Sequence, residues 1–219
     1  MNIAIDGPAG AGKSTVAKQL AKELKYIYVD TGAMYRAIGL YLIRNKVDLD
    51  DEAAVAARLP EIQVRIGYRR GEQHVYLNGE NVSRRIRTQK VGNAASKTSA
   101  YGAVRGKLLD LQRALAAEQD VIMDGRDIGT VVLPDAEVKI YLTASVDVRA
   151  ERRYLEYREK GMDADLETIR REIEERDYRD MHREIAPLKR AEDAVVVDTS
   201  DMTVDQAVEA IRAIAAQRA

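Results

Sequence analysis

NIAIDGPAGAGKST, residues 2–15, is the stretch from which the rest of the chain is read. Residues 2–6 form an apolar run ending in Asp6, and Gly7 to Ser14 match G-x-x-x-x-G-K-[ST] in full. Val16, Ala17, Leu20 and Leu24 then recur at helical spacing, so the motif lies between a strand and a helix. The chemistry needs each part of it. Glycines let backbone N–H groups turn inward on phosphate oxygens, Lys13 neutralises the β/γ charge, and the Ser14 hydroxyl suits Mg²⁺ at a helix N-terminus. Gly7, Pro8, Ala9, Gly10, Ala11, Gly12, Lys13, Ser14 and Thr15 are therefore the expected ATP cradle. The motif says that a nucleoside triphosphate binds, not what is done with it.

Further runs follow the pattern of residues 2–6: YIYVD (26–30), VIMD (121–124), VKIYL (138–142) and AVVVD (194–198). They are apolar without strict alternation and are separated by helical patterns. This predicts buried strands of a five-stranded parallel sheet in an α/β phosphate-loop fold, with functional groups at the carboxyl ends of the strands. Between residues 61 and 88 the period changes: Val64, Ile66 and Tyr68 alternate with polar residues, and Asn78-Gly79 marks a turn, as in a small antiparallel insert. Residues 149–184 are rich in Arg and Glu, with Gly161 between two helical patterns, as in a mobile helical lid. Residues 203–217 predict a packing helix, with a Thr203/Gln206 capping box and Val204, Ala207, Val208, Ile211 and Ile214 on one face. The expected division is core 1–60, insert 61–98, core 99–148, lid 149–184 and core 185–219.

Composition bounds the function. A chain of 219 residues with 46% apolar and 32% charged residues is a folded, soluble body, and a net charge of −1 gives no global reason to expect nucleic acid. The lack of cysteine suits a reducing cytoplasm, and no run approaches the length of a membrane span. A cytoplasmic monomer acting on small molecules is expected.

Two readings of the triphosphate site compete. NKVD, residues 45–48, matches the N-K-x-D element with which guanine-specific switches read their base. Here it follows Lys13 by only some thirty residues with no intervening D-x-x-G, and Met34, Ile38, Tyr41 and Leu42 make it a helix terminus. Phosphoryl transfer to a small acceptor fits better. In YIYVDTGAMYR, Thr31 is expected as a helix N-cap with Arg36 close behind, and Arg there opposes the macrodipole unless an anion sits at the helix end. In the lid, Arg176, Arg179, Asp180 and Arg183 share a helical spacing, and the Arg179/Arg183 like-charge pair again calls for an anion. Glu172 with Arg176 and Glu175 with Arg179 would be ordinary ion pairs. Arg149, Arg152 and Arg153 add charge where the lid begins, with Arg149 and Arg153 expected on ATP.

IDGPAGAGKST, DTGAMYR, IRTQKVGNAAS, DGRDIGTVV and RDYRDMHREIAPL together resemble the bacterial cytidylate kinases, and the resemblance runs essentially end to end. It implies transfer of the ATP γ-phosphoryl group to CMP or dCMP. It also implies that Thr31, Arg36, Arg126 and Arg183 surround the acceptor phosphate, that Arg176 and Asp180 lie near the ribose, and that Ser96, Arg105 and Asp127 read the base. Lys13, Arg126, Arg176, Arg183 and Asp124 are the expected catalytic set, with Ser14 on Mg²⁺ and Asp124 reaching it through water. No general base is needed, because the acceptor phosphate is already an anionic nucleophile. Another small acceptor (UMP, AMP or a non-nucleotide) and a non-catalytic nucleotide switch remain the alternatives.

Overall fold

The computed structural model describes residues 1–218. The central sheet consists of β1 (Asn2–Asp6), β2 (Ile27–Asp30), β6 (Val121–Gly125), β7 (Val138–Thr143) and β8 (Val195–Asp198). Their order is β2-β6-β1-β7-β8 and every pairing is parallel, with Ile3 opposite both Ile122 and Val138. Alternate side chains feed two apolar layers. Ala4, Val29, Val121 and Met123 pack under α2 (Thr31–Arg44), α4 (Gln89–Thr98) and α5 (Gly102–Glu118). Ile3, Ile5, Ile122, Ile140 and Leu142 pack under α1 (Lys13–Leu24) and α8 (Val204–Ala216). With both faces covered, these strands read as continuous apolar runs rather than alternating ones. The chain crosses from β1 to β2 on one side and from β6 past β1 to β7 on the other, so a crevice opens at the carboxyl ends of the strands, where Asp6, Asp30 and Gly125 stand.

A short α3 (Glu52–Arg58) leads into the antiparallel sheet of β3 (Val64–Arg69), β4 (Glu72–Leu77) and β5 (Glu80–Asn81). Its two hairpins turn at Arg70-Gly71 (φ 53° and 80°) and Asn78-Gly79 (φ 48° and 86°), the paired left-handed conformations of two-residue turns. Only the second was flagged in the sequence; Arg at a left-handed position carries no strong local signal. This sheet is seated on the end of β2. Gln73 accepts from the Asp30 amide at 2.8 Å and donates to its carbonyl at 3.2 Å, while the Tyr68 hydroxyl donates to the Tyr28 carbonyl.

The Arg- and Glu-rich segment forms α6 (Val146–Glu159), capped by Ser145, and α7 (Leu166–His182), capped by Asp165. Gly161 turns the chain between them at φ 67°, and Ala150, Ile169 and Ile173 form a small core of their own. The first helix therefore begins slightly before the expected boundary at residue 149. Arg179 is exposed and Arg183 has already left the helix with extended backbone, so the anticipated like-charge pair does not share a face. Within α7 the ion pair is Arg170 with Glu174, and Arg170 also meets Asp147 of α6, rather than the two pairs read from spacing. The capping box of Thr203 and Gln206 forms, but Val204 is exposed and does not join the packing face. NKVD is a helix terminus: Asn45 caps α2, with its side chain donating to the Tyr41 carbonyl. Among the described residues no helix is long and apolar enough to cross a membrane.

Candidate active site

The crevice above β1, β2 and β6 is a cleft of about 690 Å³ bounded by the phosphate loop, α2, α4, α6 and α7. At its floor, Gly7 (φ 151°) passes so close to β7 that a Cβ would collide with the Leu142 carbonyl. Lys13 is buried, with Nζ donating to the Gly7 and Pro8 carbonyls at 2.7 Å each. Burial, then the Arg126 charge, holds its pKa well below the ordinary lysine value. Ala9 to Thr15 line the cleft. Gly7 and Pro8, expected in the cradle, do not line the cleft; their carbonyls accept from Lys13 instead.

Asp124 ends the parallel run of β6 directly beside the loop. Its oxygens accept from Ser14 Oγ and the Tyr28 hydroxyl, both at 2.8 Å. Burial, then the neighbouring Asp30 charge, pushes its pKa up to about 6. Asp6 is likewise raised to about 6 by burial, although it accepts from the Ile128 and Gly129 amides at 2.8 Å. Ser14 Oγ and Asp124 are hard oxygen donors a hydrogen bond apart. They fit Mg²⁺, which binds through one or two protein oxygens while keeping waters and taking phosphate oxygens. Among the described residues no cluster of three acidic, His or Cys groups could hold a metal without nucleotide.

Thr31 is not the cap of α2. Asp30 fills that role, accepting from the Ala33 amide at 2.9 Å, while Thr31 opens the helix and donates its hydroxyl to the Asp124 carbonyl at 2.8 Å. The carboxylate wins because its oxygen complements the free amides of the first turn. Arg36 nonetheless lies in the cleft. Its guanidinium donates to the Ile86 and Thr88 carbonyls and lies flat against Gly92 of α4, where a Cβ would stand 2.8 Å from Nη1.

Five further arginines converge nearby: Arg87, Arg126, Arg153, Arg176 and Arg183. Arg126 Nε donates to Asp180 at 2.9 Å; burial opposes its charge, but Asp180 together with Asp124 and Asp177 more than offsets this and its pKa is raised. Arg176 is depressed to about 9 by burial and by Arg126, and Arg183 is lowered by burial and Arg105. Such mutual repulsion is stable only when anions join it. Arg176 Nε, Arg183 Nη2 and Ser96 Oγ are buried without a hydrogen-bond partner. Buried polar atoms are normally satisfied, and all three residues line the cleft, which suits it to a polar ligand.

At the far end Asp127, 4% exposed, pairs with Arg105, and Arg183 Nη2 stands 3.8 Å from its other oxygen. Arg105 also donates to the Ser99 carbonyl at 3.1 Å and lies over the Tyr35 ring. Arg149 departs from expectation: it borders the cleft but is buried, donating to the Ala144 and Ala9 carbonyls and pairing with Asp177 at 2.5 Å. Its guanidinium supports the loop from behind. Residues not expected here from the sequence are Asp30, Tyr35, Arg87 and Ser99, with Thr199 and Met202 at the end nearest the loop, while Asp6 and Asp177 stand just behind the lining, on the Ile128 and Gly129 amides and on Ala9. Asp6 and Asp30 carried a signal, ending apolar runs, but strand-end Asp is also common in plain turns.

A sequence model of the family described as cytidylate kinase matches residues 3–217. A relative named cytidylate kinase from Lactobacillus johnsonii is 53% identical over 98% of this chain and 93% of its own length. One of the same name from a Geobacillus species is 49% identical over 100% of this chain and 97% of its own. A solved structure of an uncharacterized protein from Eubacterium ventriosum aligns with a TM-score of 0.55 at 14% identity, covering 100% of this chain and 99% of that one, a likeness of fold alone.

Proposed function

Because the chain belongs to the cytidylate kinase family, we propose that it transfers the ATP γ-phosphoryl group to CMP or dCMP, reversibly, giving ADP and CDP or dCDP. The observation that carries this is the set of unpartnered buried donors, Arg176 Nε, Arg183 Nη2 and Ser96 Oγ, on residues that line one cleft between the phosphate loop and Asp127.

The loop amides of residues 9–15 and Lys13 receive the ATP phosphates, with the donor base against Met202 and Val204. Arg153, on the lid helix facing the loop, completes the charge around them. Arg36, Arg87, Arg126 and Arg183 hold the acceptor phosphate, with Thr31 fixing the turn beneath it and Arg176 and Asp180 beside the ribose. An acceptor phosphate oxygen then attacks the γ-phosphorus in line as the bond to the ADP oxygen breaks. Since that nucleophile is already anionic, catalysis is positioning and charge stabilisation of the equatorial oxygens. Ser14 and Asp124 would hold Mg²⁺, which when bound neutralises the β- and γ-phosphates. A monomer is the expected state, and a cysteine-free chain suits the cytoplasm. Residues 61–98 and 149–184 would close on the core over the two substrates.

The test is ADP release from one ATP stock with CMP, dCMP, UMP, AMP and shikimate as acceptors. Release dependent on CMP and dCMP is expected; release indifferent to acceptor would point to a nucleotide-binding protein with a slow hydrolase activity.

Asp124→Asn is expected to separate activity from stability. Turnover and its Mg²⁺ dependence should fall sharply. A carboxylate whose folded pKa is raised to about 6 costs stability above that pH, on the order of 1–3 kcal/mol at neutral pH, and the cost fades as pH falls toward 4. The variant should therefore melt no lower than wild type at pH 7.5, and wild type should gain on it between pH 7 and 5. A variant that melts lower at pH 7.5, with a gap that widens as the pH rises, would contradict the buried-charge account.

A further inference from the structure

The lid helix α7 carries two buried carboxylates three residues apart, and they grip different halves of the cleft. Asp180 accepts from Arg126 on the acceptor side. Asp177, 7% exposed, reaches the donor side: Oδ1 accepts from the Ala9 amide at 3.3 Å and Oδ2 pairs with Arg149 at 2.5 Å. Arg149 in turn donates to the Ala9 carbonyl at 3.0 Å and to Ala144 at 2.9 Å. Both backbone polar groups of one phosphate-loop residue are thus held by a single buried ion pair. The neighbouring Gly10 is tucked against Arg149, with a Cβ position 3.4 Å from that side chain's own Cβ.

We propose that Asp177 is a positioning residue that couples the two substrate sites, setting the phosphate loop for ATP according to how the acceptor has seated α7. The inference rests on the proposed kinase reading. Residues three apart on one helix cannot shift independently, so an acceptor nucleotide whose phosphate draws Arg126 and whose ribose seats beside Arg176 and Asp180 also fixes Asp177. That keeps the grip on Ala9 closed and lowers the ordering cost that ATP would otherwise meet at the loop. Acceptor binding then raises donor affinity, and by linkage the donor raises acceptor affinity by the same factor. Asp177 itself touches neither substrate, and its effect passes through Ala9 and Arg149.

The test is binding of a non-hydrolysable ATP analogue to the full chain, with and without saturating CMP. Wild type should bind the analogue roughly 5-fold or more tightly with CMP present, within the range typical of coupled sites. In Asp177→Asn that ratio should fall to about one, with CMP's own affinity kept within about twofold. A purely structural role would weaken both ligands together and leave the ratio unchanged. If the asparagine variant does not fold, Asp177→Glu, which keeps the charge but moves the carboxylate out by a methylene, carries the same expectation. A wild-type ratio of one, or a ratio preserved in either folded variant, overturns the coupling. CMP-dependent ADP release by wild type is measured alongside, so failure of the kinase reading is seen separately.

Discussion

Arg183→Met lowers kcat by at least about 10²–10³ while the protein still folds, the loss expected when one preorganised donor to a transferring phosphoryl group is removed. The geometry argues for a large effect. Arg183 spends Nε on the Ala186 carbonyl at 2.7 Å, which fixes the side chain, and leaves Nη2 buried with no hydrogen bond and only the longer approach to Asp127. A guanidinium held in this way has met its ordering cost before the substrate arrives, so its charge acts fully on the transition state. Methionine keeps most of the apolar stem, and the lost bond to Ala186 costs only about 1 kcal/mol. Steady-state kinetics beside thermal melting is the check. Wild-type turnover in a folded variant would return Arg183 to a structural role.

Asp127→Asn changes which base is accepted. Cytosine offers an amino donor at position 4, with acceptors at N3 and O2. A buried carboxylate therefore suits the amino group, while Arg105 and Ser96 suit the acceptors. Uracil places a carbonyl opposite Asp127, and two acceptors facing each other in a buried site can cost a factor of up to about 10⁴ to 10⁵. Asparagine can turn its amide N–H₂ toward that carbonyl. The ratio of kcat/KM for CMP over UMP is then expected to shrink by about 10²–10³, mainly through recovery of UMP activity. Arg105 retains the Ser99 carbonyl when its charged partner is neutralised, so the pocket wall should survive. Parallel kinetics with both acceptors decides the matter, and an unchanged ratio would remove Asp127 from base recognition.

VIMDGRDIGT shows why one short stretch can hold such different roles. On paper Asp124, Arg126 and Asp127 form a carboxylate pair around an arginine. In the fold β6 ends at Gly125 and the chain enters a wide helical turn at residues 128–132, whose amides Asp6 holds from β1. Asp124 therefore stays against the phosphate loop, Arg126 meets α7 and Asp127 meets α5. Each carboxylate acquires a different environment from a different element.

The strand-end aspartates make the limit clear. Local pattern identified Asp6, Asp30, Asp124 and Asp198 as equals. The first three are buried around the cleft, whereas Asp198 is an exposed strand end accepting from the Ser200 amide at 2.9 Å. Which was which depended on sheet order, because β2, β6 and β1 are neighbours beneath the crevice while β8 lies beyond β7 at the opposite edge of the sheet.

By itself, then, the sequence determined the phosphate loop, the parallel α/β core, the antiparallel insert and the identity of most charged groups in the cleft. These follow from local spacing: a glycine pattern, a hydrophobic period, an end-of-strand position. Tertiary structure alone decided the partners. Asp30 rather than Thr31 caps α2, Arg149 supports the loop from behind, Arg179 faces solvent, and Asp177 closes on Ala9. The physical reason is that a residue's type and period fix the face it occupies, whereas its charge state and hydrogen bonds depend on which other element that face meets, and that element can be far along the chain, as with Asp177 and Ala9, 168 residues apart.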